Sequence, residues 1–317
     1  MDGLIGHSGF VGSHLKSQHT FNRMFNRTNA DQMADHDFET LVCAAAPGSM
    51  FEANRFPATD EARIDALIEL LSRVSARNFI LISSIAVLRD FAGQDDETTT
   101  NFQENLAYGK HRRKLEAFCQ TQFENCLIVR LPALFGRGLK KNFIFDLMNP
   151  VPSMLTEGRM TEIAAALSKD QSAALQSIFD WSDHLQMYVA DRKVLAGSGY
   201  RTTLETALAE RGFSAAGFTN PHTTFQFYNL ANLWRDIDLT RSAGMPVIHL
   251  ATEPVTANTV HERLIGSAMP PANAKLHSED MHTVHADIWG QSGPYLADQH
   301  TVLEGLTGFF QNEKGLA

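Results

Sequence analysis

The chain is poor in cysteine: Cys43, Cys119 and Cys126 are its only three in 317 residues, and no two of them form a C-x-x-C pair. That excludes a disulfide framework and fits a reducing compartment. Long apolar runs are missing too. No stretch approaches the roughly 20 residues that span a bilayer, and the first residues lack the basic flank and apolar core of a secretory signal. A cytoplasmic location with no membrane partner is therefore expected. Nor is there a cationic excess, since 27 Lys and Arg face 36 Asp and Glu for a formal net charge of −9. A surface that tracks phosphates needs clustered positive charge, so no nucleic acid partner is expected. The segment HSEDMHTVHADIW gathers His277, Glu279, Asp280, His282 and His285, but in no H-E-x-x-H or Cys/His ligand spacing, and no metal is expected there. A G-x-S-x-G elbow is also absent, which removes the serine hydrolase reading.

What remains is an ordinary globular composition, 44% hydrophobic and 20% charged, in a chain long enough to bury a large core. Short apolar runs read as strands: Leu4 and Ile5, a weak run near Phe21 to Phe25, TLVCAAA (40–46), FILIS (79–83) and CLIVRL (126–131). Amphipathic segments such as EARIDALIELLSRV and YGKHRRKLEAFCQTQF alternate with the later strands. The alternation predicts a parallel, doubly wound sheet over residues 1–150. From 151 to 224 the pattern reads as helices alone, with QSAALQSIFDWSDHLQMYVADRKVL among them, and predicts a helical insertion that serves as a cap or partner surface. Over 225–317 the βα pattern returns, with NLANLWRDIDLTRSA as helix, MPVIHLA as strand and LADQHTVLEGLTGFFQNE as the terminal helix.

The opening, MDGLIGHSGFVGSHL, places Gly6, Gly9 and Gly12 at three-residue spacing between a strand and a helix. Glycine admits positive φ and close backbone approach, and the free N–H groups of a starting helix favour an anion such as a pyrophosphate. With the motifs below, GHSGFVGSHL resembles the extended short-chain dehydrogenase/reductase superfamily, in its NAD(P)-dependent epimerase/dehydratase branch. The resemblance covers the first 148 residues and, more faintly, the chain from Phe225 onward; it does not cover the insertion. It implies an α/β Rossmann-type fold with a small C-terminal substrate region. It also implies a dinucleotide held by Gly6, Ser8, Gly9, Phe10, Val11 and Gly12, by the small-residue run Cys43, Ala44, Ala45 and Ala46, and by Leu131 and Pro132. Cys43 itself reads most simply as a small buried residue.

The resemblance further implies catalysis by a hydroxyl residue, a tyrosine and a basic residue four places after the tyrosine. FILISSIAVL selects Ser84, three before Val87, and NLAYGKHRRKLEAF selects Tyr108. The basic place holds Arg112 instead of the family's lysine. Positions i and i+4 share a helix face, so Arg112 is expected to bind the ribose and to lower the phenol's pKa, with a guanidinium's fork in place of an ammonium. Near the end of the second strand MFNRTN presents Asn26 and Arg27 with no acid before Asp31, which leans towards NADP over NAD. Ile85 and Ala86 stand where dehydratases of the branch carry Asp-Glu, so no 4,6-dehydration is expected. For substrate, Ser84, Lys140, Lys141, Asn142 and Tyr228 are the candidates, the two lysines for an anionic group. The expected function is an NAD(P)-dependent oxidoreductase or epimerase acting on a secondary alcohol or ketone of a sugar or nucleotide-sugar, with chains paired into a homodimer. The alternative is a dinucleotide-binding sensor or scaffold that has lost turnover.

Overall fold

The structure, a computed structural model, describes residues 1–315. The chain runs through β1 (Asp2–Ile5), α1 (Phe10–Gln18), β2 (Arg23–Phe25), β3 (Asp37–Cys43), α2 (Met50–Arg55), α3 (Pro57–Leu71), β4 (Ser75–Ser84), α4 (Ala107–Gln122), β5 (Asn125–Leu131) and β6 (Ala133–Phe135). It continues through α5 (Phe143–Met148), β7 (Met154–Leu155), α6 (Glu157–Ala166), α7 (Lys169–Ser177), β8 (Phe179–Ser182), β9 (Met187–Ala190), α8 (Arg192–Gly197) and α9 (Arg201–Glu210). It closes with β10 (Thr224–Phe225), β11 (Phe227–Asn229), α10 (Leu233–Ser242), β12 (Val247–His249), β13 (Val255–Thr256), α11 (Ala257–Ile265) and α12 (Gln299–Gly315). No helix among the described residues is long and apolar enough to cross a membrane.

Two compact units result. The first joins Met1–Leu139, Thr224–Val255 and Ser278–Phe309; the second joins Lys140–Thr223, Thr256–His277 and the stretch from Phe310.

In the first unit six strands form one sheet in the order β12-β5-β4-β3-β1-β2, every pairing parallel. Its strands are apolar on both faces, as burial by helices on both sides requires. Leu4, Val42, Ile80, Ile82 and Val129 pack one face with Leu15 of α1 and Ile237 of α10. Leu41, Phe79, Leu81 and Ile128 pack the other with Ile64, Leu67 and Leu71 of α3 and Leu115 and Cys119 of α4. The chain steps from β1 outward to β2 and then back to β3 on the other side of β1. This reversal leaves a crevice beyond the carboxyl ends of β1 and β3, the usual ligand position in such sheets.

The second unit differs from a purely helical insertion. QSAALQSIFDWSDHLQMYVADRKVL is not one helix: α7 ends at Ser177, and β8 and β9 form an antiparallel hairpin that β7 extends to three strands. Apolar residues of α6, α7 and α9, among them Ile163, Leu175, Leu204 and Leu208, close a core with Leu155 and Phe179 from that sheet.

Candidate functional site

The glycine stretch turns sharply off the end of β1. Gly6 takes a positive φ of 84° and its N–H donates to the Phe25 carbonyl (2.8 Å); the Gly9 N–H donates back to the Gly6 oxygen (3.0 Å). A methyl group on Gly12 would overlap that same Gly6 oxygen, so α1 packs against the bend at a distance only glycine allows. Gly9 is the N-cap, and no side chain caps α1. The helix thus opens with N–H groups and its positive dipole end available to an anion. Across the crevice, Cys43 ends β3 fully buried, and Ala44, Ala45 and Ala46 follow half-buried. Burial pushes the Cys43 thiol up to about 11, which fits an inert packing residue.

Beside the bend, Asn26 closes a turn at the end of β2. Its Oδ1 accepts from the N–H of Thr28 (2.8 Å) and the Thr28 hydroxyl (2.6 Å), and its Nδ2 stands 3.4 Å from His7 Nε2. Arg27 is exposed on the same turn, and Ser8 is exposed on the bend.

Ser84 and Tyr108 meet at the carboxyl end of β4. A methyl group on Gly109 would overlap the carbonyl oxygen of Ala86, so backbone touches backbone where α4 begins. Asn54 of α2 accepts from the Tyr108 N–H at 3.0 Å. Fixed this way, the Tyr108 phenol comes under the influence of the Ser84 hydroxyl, whose Oγ accepts from the Ala86 N–H at 3.1 Å.

Arg112 lies under the same ring, its Cζ 3.9 Å from the Tyr108 ring centroid. Its Nη1 donates to Asp60 Oδ2 of α3 at 2.5 Å and its Nη2 to the Pro47 carbonyl; Nε is buried with no acceptor in the protein. His111 Nδ1 shares Asp60 Oδ2 at 2.8 Å. Burial pushes the phenol of Tyr108 above its ordinary value, and the Asp60 carboxylate adds to that; Arg112 and the Ser84 hydroxyl pull the other way without prevailing. The net direction is opposite to the one expected from Arg112 alone, because burial of the phenol outweighs the cation and the Asp60 carboxylate adds to burial.

Asp60 and His111 were not expected from the motif. The sequence does carry a signal for Asp60: it stands at the helical phase of Ile64, Leu67 and Leu71, an acid on the buried face of α3.

The adjacent Ser83 faces the other side of the sheet. Its Oγ donates to Glu116 Oε1 (2.6 Å), and the fully buried Glu116 is clasped by Arg130 through Nε (3.0 Å) and Nη2 (2.7 Å). This pins the middle of α4 to β4 and β5 and separates the two serines by role. Arg130 Nη1 stands 2.9 Å from His249 Nε2, and His249 Nδ1 2.9 Å from the His282 carbonyl. Leu131 and Pro132, next along β5, are buried, Leu131 within the core.

The loop between Ser84 and Tyr108 is laced to the segment 278–284. Asp280 N–H donates to the Phe91 carbonyl (2.7 Å), and Glu97 takes three donors: the N–H of His249 (2.7 Å), the Thr283 hydroxyl (2.7 Å) and the N–H of Val284 (2.9 Å). Glu279 and Asp280 of HSEDMHTVHADIW are held by neighbours here. Glu279 accepts from the Gln226 N–H at 3.0 Å, and Tyr295 donates to Asp280 at 2.5 Å.

The remaining substrate candidates lie elsewhere. Tyr228 is 1% exposed in the core, and its hydroxyl donates to the fully buried Asp236 at 2.6 Å. A phenol so enclosed does not line a ligand site. Lys140, Lys141 and Asn142 belong to the second unit, where the lysines are exposed and Asn142 caps α5 by accepting from the Phe145 N–H at 3.2 Å.

No family model matches the chain, and no curated protein sequence matches it. Solved structures do. MoeE5 in complex with UDP-glucose and NAD is similar over 100% of this chain and 99% of its own, with TM-score 0.61 and 15% identity. UDP-glucose 4-epimerase from Thermotoga maritima, with UDP-glucose, matches over 100% of both chains with TM-score 0.61 and 13% identity. The dTDP-4-dehydrorhamnose reductase of Bacillus anthracis, in complex with NADP, matches over 98% of this chain and 97% of its own with TM-score 0.60 and 13% identity. Across the whole chain the fold is the one these proteins share.

Proposed function

We propose that the protein is an NAD(P)-dependent oxidoreductase or epimerase acting on a secondary alcohol or ketone of a nucleotide-sugar. One observation carries the reading: the ring of Tyr108 is stacked on Arg112 with Ser84 acting on its phenol, in a sheet whose switch crevice holds a glycine bend. The residues fit a dinucleotide. Backbone-to-backbone packing at Gly6 and Gly12 makes a tight bend at the end of β1, α1 opens uncapped beside it, and the orphaned Nε–H of Arg112 offers a donor to a ribose oxygen. Gly6, Ser8, Gly9, Phe10, Val11 and Gly12 would hold the pyrophosphate, with Ala44, Ala45 and Ala46, and Leu131 and Pro132, along its course. Asn26 and Arg27 offer neutral and cationic contacts to a 2′-phosphate, which favours NADP. The nucleotide-sugar class rests on the UDP-glucose held by MoeE5 and by the Thermotoga maritima epimerase.

When bound, the coenzyme supplies hydride transfer. The chain's own residues handle the proton. Ser84 holds the reacting oxygen beside the phenol. Tyr108, a phenol that burial pushes further above its ordinary value, gives its proton to a carbonyl oxygen as that oxygen becomes a hydroxyl, and takes a proton back in the reverse direction.

Calorimetry with NAD and NADP, followed by turnover assays on UDP- and dTDP-hexoses, tests this reading. We expect micromolar binding of NADP, and Tyr108→Phe to lower kcat by roughly 100-fold or more while coenzyme affinity stays within about twofold. Failure of both coenzymes to bind at millimolar concentration overturns the reading.

A further inference from the structure

A guanidinium withdrawn from water needs an anion and acceptors for its five N–H groups. The side chain of Arg112 is 2% exposed and that of Asp60 is 5% exposed, so this pair is a buried one. Two donors from α4 converge on one oxygen of Asp60: Arg112 Nη1 at 2.5 Å and His111 Nδ1 at 2.8 Å. With Nη2 on the Pro47 carbonyl as well, the guanidinium plane is held from two sides while its face lies on Tyr108. Nε is the one nitrogen of the three with no acceptor in the protein.

Resting on the function proposed above, we propose that Asp60 is a positioning residue for this site: it holds Arg112 against the ring of Tyr108 and neutralises it there. A lone cation at this place would draw the phenol towards phenolate; the Asp60 carboxylate opposes that pull and so acts with burial to keep the proton on the phenol. Nε–H remains free for an oxygen of the bound ligand. The groups acting on the phenol are Arg112 of α4, Asp60 of α3 and the Ser84 hydroxyl of β4. His111 joins through Asp60 and stands 4.0 Å from the half-exposed Glu61, and α2 reaches α4 through the neutral Asn54.

The test is an ultraviolet titration of tyrosinate in the coenzyme-free protein, with Tyr108→Phe subtracted to isolate one phenol of five. Asp60→Asn is expected to lower the Tyr108 midpoint by about one pH unit, and by less than half as much in an Arg112→Gln background. An unchanged midpoint, or equal shifts in both backgrounds, overturns the proposal. Should Asp60→Asn not fold, Asp60→Glu keeps the charge and moves the guanidinium by one methylene. Coenzyme binding is then expected to weaken roughly tenfold by calorimetry, and unchanged affinity with an unchanged midpoint overturns the proposal. If the wild-type protein binds no coenzyme, the functional reading fails, and the titration still decides the role of Asp60.

Discussion

Asp60 in the first unit and Asp146 in the second both place a carboxylate away from solvent with an arginine nearby, yet the two arginines are used differently. Arg112 gives Nη1 directly to Asp60, and His111 adds a second donor. Arg192 instead commits its Nη2 to the Val151 carbonyl and the Ser153 hydroxyl, both at 2.8 Å, and lies 5.4 Å over the Phe145 ring. Its charge reaches Asp146 only at longer range, and burial pushes that carboxyl up to about 7. A cation in the neighbourhood that makes no hydrogen bond to a carboxylate does little to keep it ionised.

The comparison breaks most visibly at Asp60. Asp60→Asn leaves a buried guanidinium without its anion and is expected to cost about 3–5 kcal/mol, read as a lowered urea midpoint with an unchanged slope. Asp146→Asn should act with the opposite sign. The unfolded chain gives up this proton near pH 4 and the fold keeps it until about 7, so the stability present at pH 4 is lost as pH rises through 7. The variant should therefore be more stable than wild type by about 2 kcal/mol at pH 8 and equal to it at pH 4, measured by denaturant unfolding at both. Equal gains at both pH values would remove Asp146's titration as the cause. A third carboxylate sharpens the contrast: Asp236 is fully buried and served by Tyr228, Trp289 and Arg235. Tyr228→Phe removes one donor of three, and a loss of about 1–2 kcal/mol in thermal unfolding is expected, smaller than at Asp60 because two donors stay.

The legible parts of the molecule were those fixed by near neighbours in the chain. Gly6, Gly9 and Gly12 act within one turn, so their spacing alone gave the bend. The i, i+4 relation placed Arg112 beside Tyr108, and the strand-end phase separated Ser84 from Ser83. What escaped depends on distant partners. Nothing in YGKHRR names the acid 52 residues earlier that occupies Arg112. The hairpin of β8 and β9 was masked because FDWS and MYVA continue the apolar rhythm of α7, and the residues that turn it are polar and helix-compatible; the break falls at Gln186, with φ of 49°. Tyr228 reads as a substrate candidate because sequence cannot show that its hydroxyl already has Asp236.

The lacing of the loop between Ser84 and Tyr108 makes that loop severable. Ala92, Gly93 and Gln94 at its tip are exposed. A cut there leaves the upstream end tied through Phe91 to Asp280, and the downstream end tied through Glu97 to His249, Thr283 and Val284. Both new ends stay anchored to the same segment, so a nicked or circularly permuted chain opened at this point would keep serine and tyrosine facing each other.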